Sequence, residues 1–397
     1  MKLKYIIIGA GAAGLSFAAT LKANGEDSFV ILEKEKESGG LCRSTIYDGA
    51  PIDIGGGHIL DVRNKPALDF LFSYMPEEEW NVYERITKTV VGEHSVSYPL
   101  EANIWQFPLE LQLDYLESIS QVQHRKDQPI PEKFKDWIYW KFGDIIAKTY
   151  MLPYNEKLWS LDDLNELGTY WLYKLPDVSF RETLLSCLNR APSGTLPHAR
   201  FYYPKKTGYG EVFLRIAATI KEHIRYNYLV NYLEADSLKV NNEYQADYII
   251  NTAPWHEFPN ELTDSLKNRI KELKYTSVDI DYQPLPSADR ETHWTYYADL
   301  DLPYHRIVNR DNIVSGATGY WTETNSKRRK NPSKAHWENK YSYPLNTLNK
   351  PKAIAEILAE AKRLNIIGLG RWGEWEHMNS DLAVTRGIEL AKKMLGK

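Results

Sequence analysis

A short glycine-rich segment at residues 9–14, with the sequence GAGAAG, constrains the fold more than any other part of the chain. It follows a β-branched run at residues 4–8 that predicts a buried parallel strand, and it precedes helical spacing at residues 15–24. A second predicted strand at residues 28–32 ends at Glu33. The order of strand, glycine turn, helix, strand and acid is typical of the first unit of an α/β dinucleotide-binding domain.

Each position in this unit has a physical reason to carry its residue. Gly9 permits the tight turn, Gly11 lets a pyrophosphate approach the backbone, and Gly14 lets the helix pack closely on the strand. The helix then directs its N-terminus, with its unpaired N–H groups, at the phosphates. Glu33 is placed to accept hydrogen bonds from a ribose. A tight turn in an α/β protein of another kind is the alternative.

Further glycines indicate which dinucleotide the domain binds. Gly39, Gly40 and Leu41 follow shortly after the acidic residue, and a later segment contains Gly56 and Gly57. Glycines at these positions let the backbone lie flush against an extended ligand. FAD lies through its domain in this way, whereas a plain NAD domain does not need the second glycine pair. The sequence therefore predicts FAD as the cofactor.

Patterns farther along the chain predict that the nucleotide domain is assembled from separate parts. Residues 248–252 and 366–369 form predicted strands that each end in a turn, and a helix begins near Leu382. Between the N-terminal unit and these pieces, residues 103–174 have the apolar spacing of helices. We therefore expect a nucleotide domain that is interrupted by other domains.

Alternating and β-branched stretches at residues 82–99, 201–204 and 276–314 predict an antiparallel sheet. The predicted fold class is α/β, with a discontinuous Rossmann-like FAD-binding domain, an inserted helical domain and an antiparallel β-sheet domain. The predicted boundaries are 1–65, 205–258 and 345–397 for the FAD-binding domain, 103–178 for the helical domain, and 66–102, 179–204 and 259–344 for the sheet domain.

The composition excludes several classes of protein. Lysine and arginine number 49 against 53 aspartates and glutamates, so the net charge of −4 lacks the basic excess that nucleic-acid binding needs. Two cysteines, Cys42 and Cys187, cannot form a disulfide framework, and no Cys/His cluster indicates a metal site, so we expect a cytoplasmic protein without a metal. No apolar stretch is long enough to span a bilayer. The sequence leaves the oligomeric state open, a homo-oligomer included.

Several motifs taken together resemble those of the UDP-galactopyranose mutase family, whose flavoprotein fold is related to amine oxidases and protoporphyrinogen oxidases. The glycine motifs are shared with many flavoenzymes. The glycine–histidine loop, the PYNEKLW segment and the GRWGEW segment are more selective in combination. The likeness extends in order and spacing over nearly the whole chain. The matching stretches are residues 9–14, 53–58, 85–86, 98–99, 153–159, 294–306, 343–344 and 370–375.

The resemblance implies roles for individual residues. His58 is implied to lie beside the flavin ring, and Arg306 is implied to bind the substrate diphosphate through its guanidinium fork. The other residues implied to act in catalysis or substrate binding are Lys174, Tyr296, Tyr343, His377, Tyr98, Tyr154, Asn155 and Trp159. The implied cofactor contacts outside the N-terminal glycine segments are Arg85, Gly370 and Arg371. Packing or internal ion pairing is the alternative role for these residues.

Two positions depart from the family's pattern. Lys174 stands where the family has an arginine that clamps the diphosphate, and His377 stands where it has a tyrosine. Lys174 keeps the positive charge but loses the planar fork. His377 can still donate to a phosphate oxygen, although its charge depends on pH. A different nucleotide-sugar is therefore plausible.

The resemblance implies an isomerase that interconverts the pyranose and furanose forms of a nucleotide-sugar, UDP-galactose or a related NDP-sugar, for cell-surface polysaccharide biosynthesis. In the family the flavin acts in its reduced form, primed by NAD(P)H or another reductant, and bonds covalently to the sugar through N5. Two alternatives stay open at this point. One is an FAD-dependent amine oxidase or desaturase, and the other is a non-catalytic protein that binds flavin and a sugar nucleotide.

Overall fold

The predicted dinucleotide unit forms the centre of a parallel sheet. The structure is a computed structural model that describes residues 2–123, 125, 128–192, 199–258 and 264–397, without the side chains of Lys174 and Ser265. The strands are β1 (Leu3–Ile8), β2 (Phe29–Leu32), β3 (Ser44–Tyr47), β4 (Ala50–Asp53), β5 (Leu60–Asp61), β6 (Trp80–Glu84), β7 (Thr87–Val91), β8 (His94–Ser97), β9 (Arg200–Pro204), β10 (Ile224–Arg225), β11 (Leu233–Glu234), β12 (Lys239–Val240), β13 (Tyr244–Asn251), β14 (Tyr275–Gln283), β15 (Trp294–Tyr297), β16 (Tyr304–Asn309), β17 (Tyr320–Asn325), β18 (His336–Pro344) and β19 (Ile366–Gly368). The α-helices are α1 (Ala12–Ala23), α2 (Lys65–Phe72), α3 (Leu109–Ser120), α4 (Phe134–Ile146), α5 (Leu152–Trp159), α6 (Phe180–Asn189), α7 (Glu211–Thr219), α8 (Asp264–Glu272), α9 (Lys350–Arg363), α10 (Gly370–Gly373) and α11 (Ser380–Met394).

The parallel sheet has the order β10-β2-β1-β13, with β19 also parallel to β13 and the hairpin β11–β12 joined to β13 antiparallel. Its central strand β1 is an apolar run rather than an alternating one. One face, carrying Tyr5 and Ile7, packs with α1 and α11, while the other, carrying Ile6 and Ile8, packs with α9. A sheet covered on both faces requires apolar residues at every position, which explains the run.

The predicted assembly of this domain from both ends and the middle of the chain is confirmed. β13 comes from the middle of the chain and β19 from near its C-terminal end, yet both join the N-terminal strands in one sheet. Parallel strands need long crossover connections, and here the other domains are inserted into those connections. The fold class is α/β, as predicted.

A second, mostly antiparallel sheet lies beside the first, in the order β18-β14-β17-β16-β15-β7-β8. Only the β15–β7 pair is parallel among the described pairs of this sheet. In the register between β15 and β16, Tyr296 lies opposite Arg306. A separate three-stranded sheet, β5-β9-β6, connects the two larger units.

A helical layer built from α3, α4, α5 and α6 closes the remaining side. Its core combines rings and aliphatic side chains, among them Tyr115, Phe134, Trp137 and Ile138. The two prolines of the intervening segment, Pro129 and Pro131, lie outside both α3 and α4, as expected for residues that end a helix.

The proposed domain boundaries stay a prediction, and two helices pack differently from them. α6 contacts α3, although residues 179–204 are predicted in the sheet domain. α8 packs on α9 of the Rossmann-like domain, although residues 259–344 are predicted in the sheet domain. In both cases the apolar face of the helix decides where it packs, and a sequence pattern does not identify the packing partner.

Across the described ranges, the protein contains no helix with the length and apolarity to cross a membrane.

Candidate active site

A cavity of about 780 Å³ lies where the two sheets and the helical layer meet. Glycine-loop residues, strand residues of the second sheet and helical residues of α5 all contribute to its wall. The sequence-predicted residues that line it are Gly56, Gly57, His58, Arg85, Tyr98, Tyr154, Asn155, Trp159, Tyr296, Arg306, Tyr343, Arg371 and His377. Residues far apart in the chain are thus brought to one place, although their individual roles stay predictions.

The glycines of the first turn form a backbone cradle at the start of α1. Gly9 has a φ of +100°, which favours glycine, and a Cβ at Gly14 would overlap the Gly9 carbonyl oxygen. Gly11 caps α1 without a side-chain hydrogen bond, so the first N–H groups of the helix are left for a ligand. These features fit a pyrophosphate at the helix N-terminus.

The second glycine pair packs directly on the first. Gly39 forms an isolated parallel bridge with Gly11, and its N–H donates to the Ala10 carbonyl over 2.8 Å. A Cβ at Gly40 would lie 3.2 Å from the Gly11 Cα. Two glycine turns in contact leave an open backbone surface along which an extended ligand fits.

Other predicted cofactor contacts join these turns to the rest of the domain. Leu41 supports the next glycine loop, because a Cβ at Gly55 would overlap the Leu41 carbonyl oxygen. Gly370 has a φ of +76° and approaches the side chain of Ala13 in α1. The C-terminal segment thereby reaches the first helix of the cradle.

Glu33 directly follows β2 beside this cradle and is 6% exposed. Its two carboxylate oxygens accept the backbone N–H groups of Ala10, over 2.7 Å, and of Glu35, over 2.9 Å. Burial raises the pKa of Glu33, whereas these two N–H donors lower it. Each oxygen keeps a second lone pair, so the carboxylate can also accept ribose hydroxyls. The cradle therefore fits a dinucleotide.

His58 lies in the cavity wall as a neutral imidazole. Its Nδ1 is 2.7 Å from the Gly56 carbonyl oxygen, which places the proton on Nδ1 and leaves Nε2 as an acceptor. Burial, together with the charges of Arg371 and Arg306, lowers the pKa of His58 to about 4. At neutral pH this residue can accept a hydrogen bond from a bound group but carries no charge.

Arg306 is held by a buried carboxylate. Its Nε donates to Glu323 Oε2 over 2.8 Å, and its Nη2 also donates to that oxygen. The other oxygen, Oε1, accepts the Gly57 N–H over 2.8 Å, so Glu323 ties the glycine loop to β16. Burial opposes the charged form of Arg306, but Glu323 and the neighbouring tyrosines outweigh it and the pKa is raised. In the described part of the chain Nη1 has no hydrogen-bond partner and is the nitrogen available to a ligand.

Arg371 presents a positive charge without such a partner. Its guanidinium donates to the carbonyls of Met378, over 3.0 and 2.6 Å, and of Ser342, over 2.9 Å. It lies 5.4 Å from the ring centroid of Tyr343, and burial lowers its pKa. Within the described ranges no carboxylate oxygen lies within 4.0 Å of this guanidinium. An anion in the cavity would supply the missing compensation.

Arg85 lies between two rings of the cavity wall. Its guanidinium carbon is 4.7 Å from the ring centroid of Tyr98 and 4.9 Å from that of Trp294, and its Nε donates to Thr87 Oγ1 over 2.9 Å. Tyr98 contacts Tyr296 at 5.3 Å between centroids. Packing on rings therefore accounts for much of the position of Arg85.

Two predicted substrate-binding residues bond to one another. The indole Nε1 of Trp159 donates to Asn155 Oδ1 over 2.9 Å, and Asn155 Nδ2 donates to the Met151 carbonyl over 2.7 Å. Both side chains line the cavity, but their polar groups are already satisfied, so the ring face of Trp159 is what remains for a ligand. Tyr343 lies 6.2 Å from Trp159 and 4.8 Å from His377, between ring centroids.

Tyr154 stands between Tyr296, at 5.5 Å, and Tyr150, at 5.8 Å. Burial raises the pKa of Tyr154 well above its ordinary value, so the phenol is neutral and can donate a hydrogen bond.

Lys174 ends a short 3-10 turn, Leu172–Lys174, and its side chain lies outside the described residues. Its neighbours Tyr173 and Leu175 line the cavity.

Sequence reasoning missed several polar residues of the site and its support. Glu323 was not predicted, because it belongs to none of the motifs and an acidic residue within a strand does not by itself indicate a site. Lys157, inside the PYNEKLW segment, is fully buried and donates to the carbonyls of Tyr297, over 3.0 Å, and Asp299, over 2.7 Å, while burial lowers its pKa to about 8. Asp53 is fully buried, and burial raises its pKa to about 6. The sequence offered one signal for Lys157 and Asp53, which is that each lies inside a motif of the family resemblance. Lys157 belongs to the PYNEKLW segment, and Asp53 belongs to the stretch 53–58.

Comparison with known proteins agrees with this geometry. Residues 7–74 match the family model of the NAD(P)-binding Rossmann-like domain. An uncharacterized protein of Methanothermococcus thermolithotrophicus is 39% identical over 72 residues, which are 18% of this chain and 69% of that protein. Two Baeyer–Villiger monooxygenases match over shorter shares of their length, one of Penicillium patulum at 51% identity (13% of this chain, 8% of that protein) and one of Pseudomonas aeruginosa at 32% (22% and 18%). These matches support the Rossmann-like fold of the N-terminal unit.

Solved structures extend the comparison to the whole chain. Reduced UDP-galactopyranose mutase superposes with a TM-score of 0.90 at 22% identity, covering 100% of this chain and 96% of that one. Cyclohexylamine oxidase from Brevibacterium oxydans gives 0.68 at 14%, and putrescine oxidase bound to putrescine gives 0.64 at 14%, each covering 100% of both chains. The resemblance seen in the motifs is confirmed at the level of the fold, which is that of UDP-galactopyranose mutase. This fold and the glycine cradle assign FAD as the cofactor, as the sequence predicts.

Two glycine substitutions separate cofactor binding from folding. Gly11→Ala places a Cβ whose nearest protein atom is 3.9 Å away, so we expect a folded protein whose affinity for FAD falls at least about tenfold because the pyrophosphate can no longer approach the backbone. Gly14→Ala overlaps the Gly9 carbonyl and should lower the melting temperature instead. Flavin absorbance of the purified proteins and thermal melts monitored by circular dichroism measure the two effects. A Gly11→Ala protein with full flavin content would contradict the assignment.

His58 gives stability a pH dependence of defined sign. Its pKa is about 4 in the folded protein and about 6.5 when unfolded, so the unfolded state binds the proton more readily. The stability is therefore fully present above about pH 6.5 and falls as the pH drops toward 4, by about 3 kcal/mol for this group. We expect His58→Gln to flatten that part of the curve in urea melts between pH 4 and 7. An unchanged slope would contradict the buried neutral imidazole.

Proposed function

We propose that this protein is a flavin-dependent mutase, an isomerase of the intramolecular transferase class, that interconverts the pyranose and furanose forms of UDP-galactose or a related NDP-sugar for cell-surface polysaccharide biosynthesis. The observation that carries the proposal is the cavity at the edge of the FAD domain, where Arg306 and Arg371 face a space lined by aromatic rings. Similarity to UDP-galactopyranose mutase over the full chain supports it.

The charges of the cavity suit a diphosphate ester. Arg371 has only carbonyl acceptors among the described residues, and Arg306 keeps Nη1 available although Glu323 compensates most of its charge. A diphosphate would supply the anion that Arg371 lacks and could accept a hydrogen bond from Nη1 of Arg306, and the same contacts would stabilise its departure from the sugar. The charge of Lys174 and the hydrogen bonding of His377 are expected to add to this site.

The rings suit the uncharged parts of such a ligand. Trp159 offers an indole face, and the rings of Tyr154, Tyr296 and Tyr343 line the same cavity as Arg306. Together they exclude water from the reacting groups and hold the sugar and base in a fixed position. Positioning of this kind, rather than an acid–base pair on the protein, is what the chain contributes.

FAD would be held by Gly9, Gly11 and Gly14 at its pyrophosphate and by Glu33 at its ribose. When bound and reduced, it supplies the nucleophile for the sugar carbon, and NAD(P)H or another reductant would prime it. His58, neutral at physiological pH, presents Nε2 as an acceptor to whatever group lies at this end of the cavity. The two cysteines are free thiols, which supports the proposed cytoplasmic location.

An FAD-dependent amine oxidase or desaturase is the second candidate, favoured by the folds of putrescine oxidase and cyclohexylamine oxidase. A protein that binds flavin and a sugar nucleotide without turnover is the third. The second candidate assigns no role to Arg371, because a protonated amine would be repelled by this guanidinium, which has only carbonyl acceptors among the described residues.

Anaerobic turnover separates the three candidates. We expect the dithionite-reduced protein to convert UDP-galactofuranose to UDP-galactopyranose with no net consumption of electrons, monitored by chromatography of the two sugar nucleotides. The oxidised protein is the matched control and should be inactive. Oxygen consumption with putrescine or cyclohexylamine would favour the oxidase, and binding of UDP-galactose without conversion of either isomer would favour the non-catalytic protein.

Arg306 tests the diphosphate contact. Arg306→Ala should weaken UDP-galactose binding by about 2–4 kcal/mol, because it removes a desolvated guanidinium and leaves the buried Glu323 carboxylate uncompensated. Isothermal titration calorimetry of the reduced protein measures the loss. Arg215→Ala, which removes an ion-paired arginine outside the cavity, is the control and should leave binding unchanged. Equal affinities for the Arg306→Ala and unaltered proteins would remove Arg306 from the site.

A further inference from the structure

A buried acid, Glu101, lies in the cavity wall and belongs to none of the predicted site positions. It stands in a short 3-10 turn, Leu100–Ala102, that directly follows Pro99, and it is 6% exposed. In the described part of the chain no lysine, arginine or histidine nitrogen lies within 4.0 Å of its carboxyl oxygens, and no other residue donates a side-chain hydrogen bond to them. Glu101 therefore differs from the other acids of this wall.

Those other acids all have partners. Glu323 pairs with Arg306, and Asp381 accepts the side-chain amide of Asn64 over 2.8 Å. Asp53, which also lines the cavity, accepts hydrogen bonds from Ser44, Tyr203 and the Tyr209 backbone, and Asp61 pairs with Arg63. A buried polar group without a partner costs free energy, and the cost persists in a folded protein chiefly where a ligand removes it.

The surroundings of Glu101 favour an uncharged carboxyl group. Burial raises its pKa to about 7, its own backbone N–H and Lys141 lower it, and Asp177 raises it. Lys141, on α4, is already paired with Asp177, and neither residue lines the cavity. Tyr98 and Tyr150 lie near enough to this acid for its charge to raise the pKa of both phenols.

Two further charged or titratable groups nearby, Arg85 and Tyr296, contact the ring of Tyr98. Arg85 lies over that ring, and Tyr296 packs against it in a tilted contact. Burial raises the pKa of Tyr98 and of Tyr150, so both phenols stay neutral across the physiological range. The wall around Glu101 thus consists of neutral rings, with its charges compensated or held at a distance.

We propose that Glu101 is a specificity residue of the cavity, and that its uncharged carboxyl group hydrogen-bonds an uncharged polar group of the nucleotide-sugar. That group is either a carbohydrate hydroxyl or the hydrogen-bonding edge of the nucleobase. The proposal rests on the proposed function, because it takes the occupant of the cavity to be a nucleotide-sugar. It adds a residue that discriminates between nucleotide-sugars by their sugar or by their nucleobase.

Two physical consequences follow. An uncharged carboxyl group can donate and accept at once, as a hydroxyl or a base edge requires, whereas a carboxylate only accepts. A bound diphosphate also repels a nearby carboxylate, so the ligand favours protonation of Glu101. Binding is therefore accompanied by proton uptake that approaches one proton only above the pKa of Glu101 in the free protein, and affinity declines when the pH rises through that pKa.

Calorimetric titrations of the FAD-loaded protein test this with three probes, UDP-galactose, UDP and inorganic pyrophosphate. Between pH 6 and 8 the Kd of the unaltered protein for UDP-galactose should rise about tenfold. Glu101→Gln keeps donor and acceptor without a charge, so its Kd should stay within about threefold of the unaltered value at pH 6 and remain flat to pH 8. Glu101→Leu keeps the volume but removes the hydrogen bonds, and should weaken UDP-galactose binding about tenfold at pH 6.

The probes identify the group that Glu101 contacts. Weaker binding of UDP-galactose alone by Glu101→Leu assigns the contact to the sugar, and equal weakening of UDP and UDP-galactose assigns it to the base. Asp177→Asn removes an acid that acts on Glu101 electrostatically but does not line the cavity, and it should leave all three affinities nearly unchanged. Thermal melts and flavin content of each variant verify that it is folded and loaded.

Three results would overturn the inference while leaving the proposed function in place. They are unaltered UDP-galactose binding by both Glu101 variants, tighter binding by the unaltered protein at pH 8 than at pH 6, and a change in pyrophosphate affinity as large as that for UDP-galactose. The last would mean that Glu101 acts through charge alone. If the unaltered protein binds neither UDP nor UDP-galactose, the proposed function fails and this inference fails with it.

Discussion

The cavity depends on one buried carboxylate. Glu323 accepts the Gly57 N–H on one oxygen and the Arg306 guanidinium on the other, so it joins the glycine loop that follows β4 to strands β16 and β17. A carboxylate in this position must be compensated, and it is compensated from two different domains. The arrangement fixes the distance between the FAD domain and the antiparallel sheet. It also orients Arg306, since two of its three nitrogens are committed to Glu323.

The other groups of the cavity follow from that constraint. With Arg306 largely neutralised and Arg371 held only by carbonyls among the described residues, a positive charge remains toward the glycine loop. His58 next to it stays uncharged, because burial and the two guanidinium groups oppose its protonation. Glu101, also in the cavity wall, lies near the neutral phenols of Tyr98 and Tyr150. The cavity thus combines guanidinium groups with a buried acid that has no cationic partner among the described residues.

The sequence predicts the fold and many of the residues that line the cavity. It does not predict which of these residues hydrogen-bond to one another. It placed Arg306, Tyr296 and Trp159 in one site, and all three line the cavity. It did not foresee that Trp159 would donate to Asn155, which leaves only the ring face for a ligand. A motif records which residue types stand at which spacing, whereas a hydrogen bond depends on side-chain directions that the surrounding packing sets.

The sequence by itself determined the Rossmann-like unit, the FAD cradle and the discontinuous domain. Those features depend on turns and runs a few residues long, in which Gly9, Gly11 and Gly14 act through local backbone geometry. Tertiary structure alone decided that Glu323 meets Arg306 and that, among the described residues, no other side chain donates a hydrogen bond to the Glu101 carboxyl group. The first depends on the register of β16 against β17, and the second depends on how a turn after Pro99 packs against the helical layer. Such contacts join residues far apart in the chain, and no local pattern encodes them.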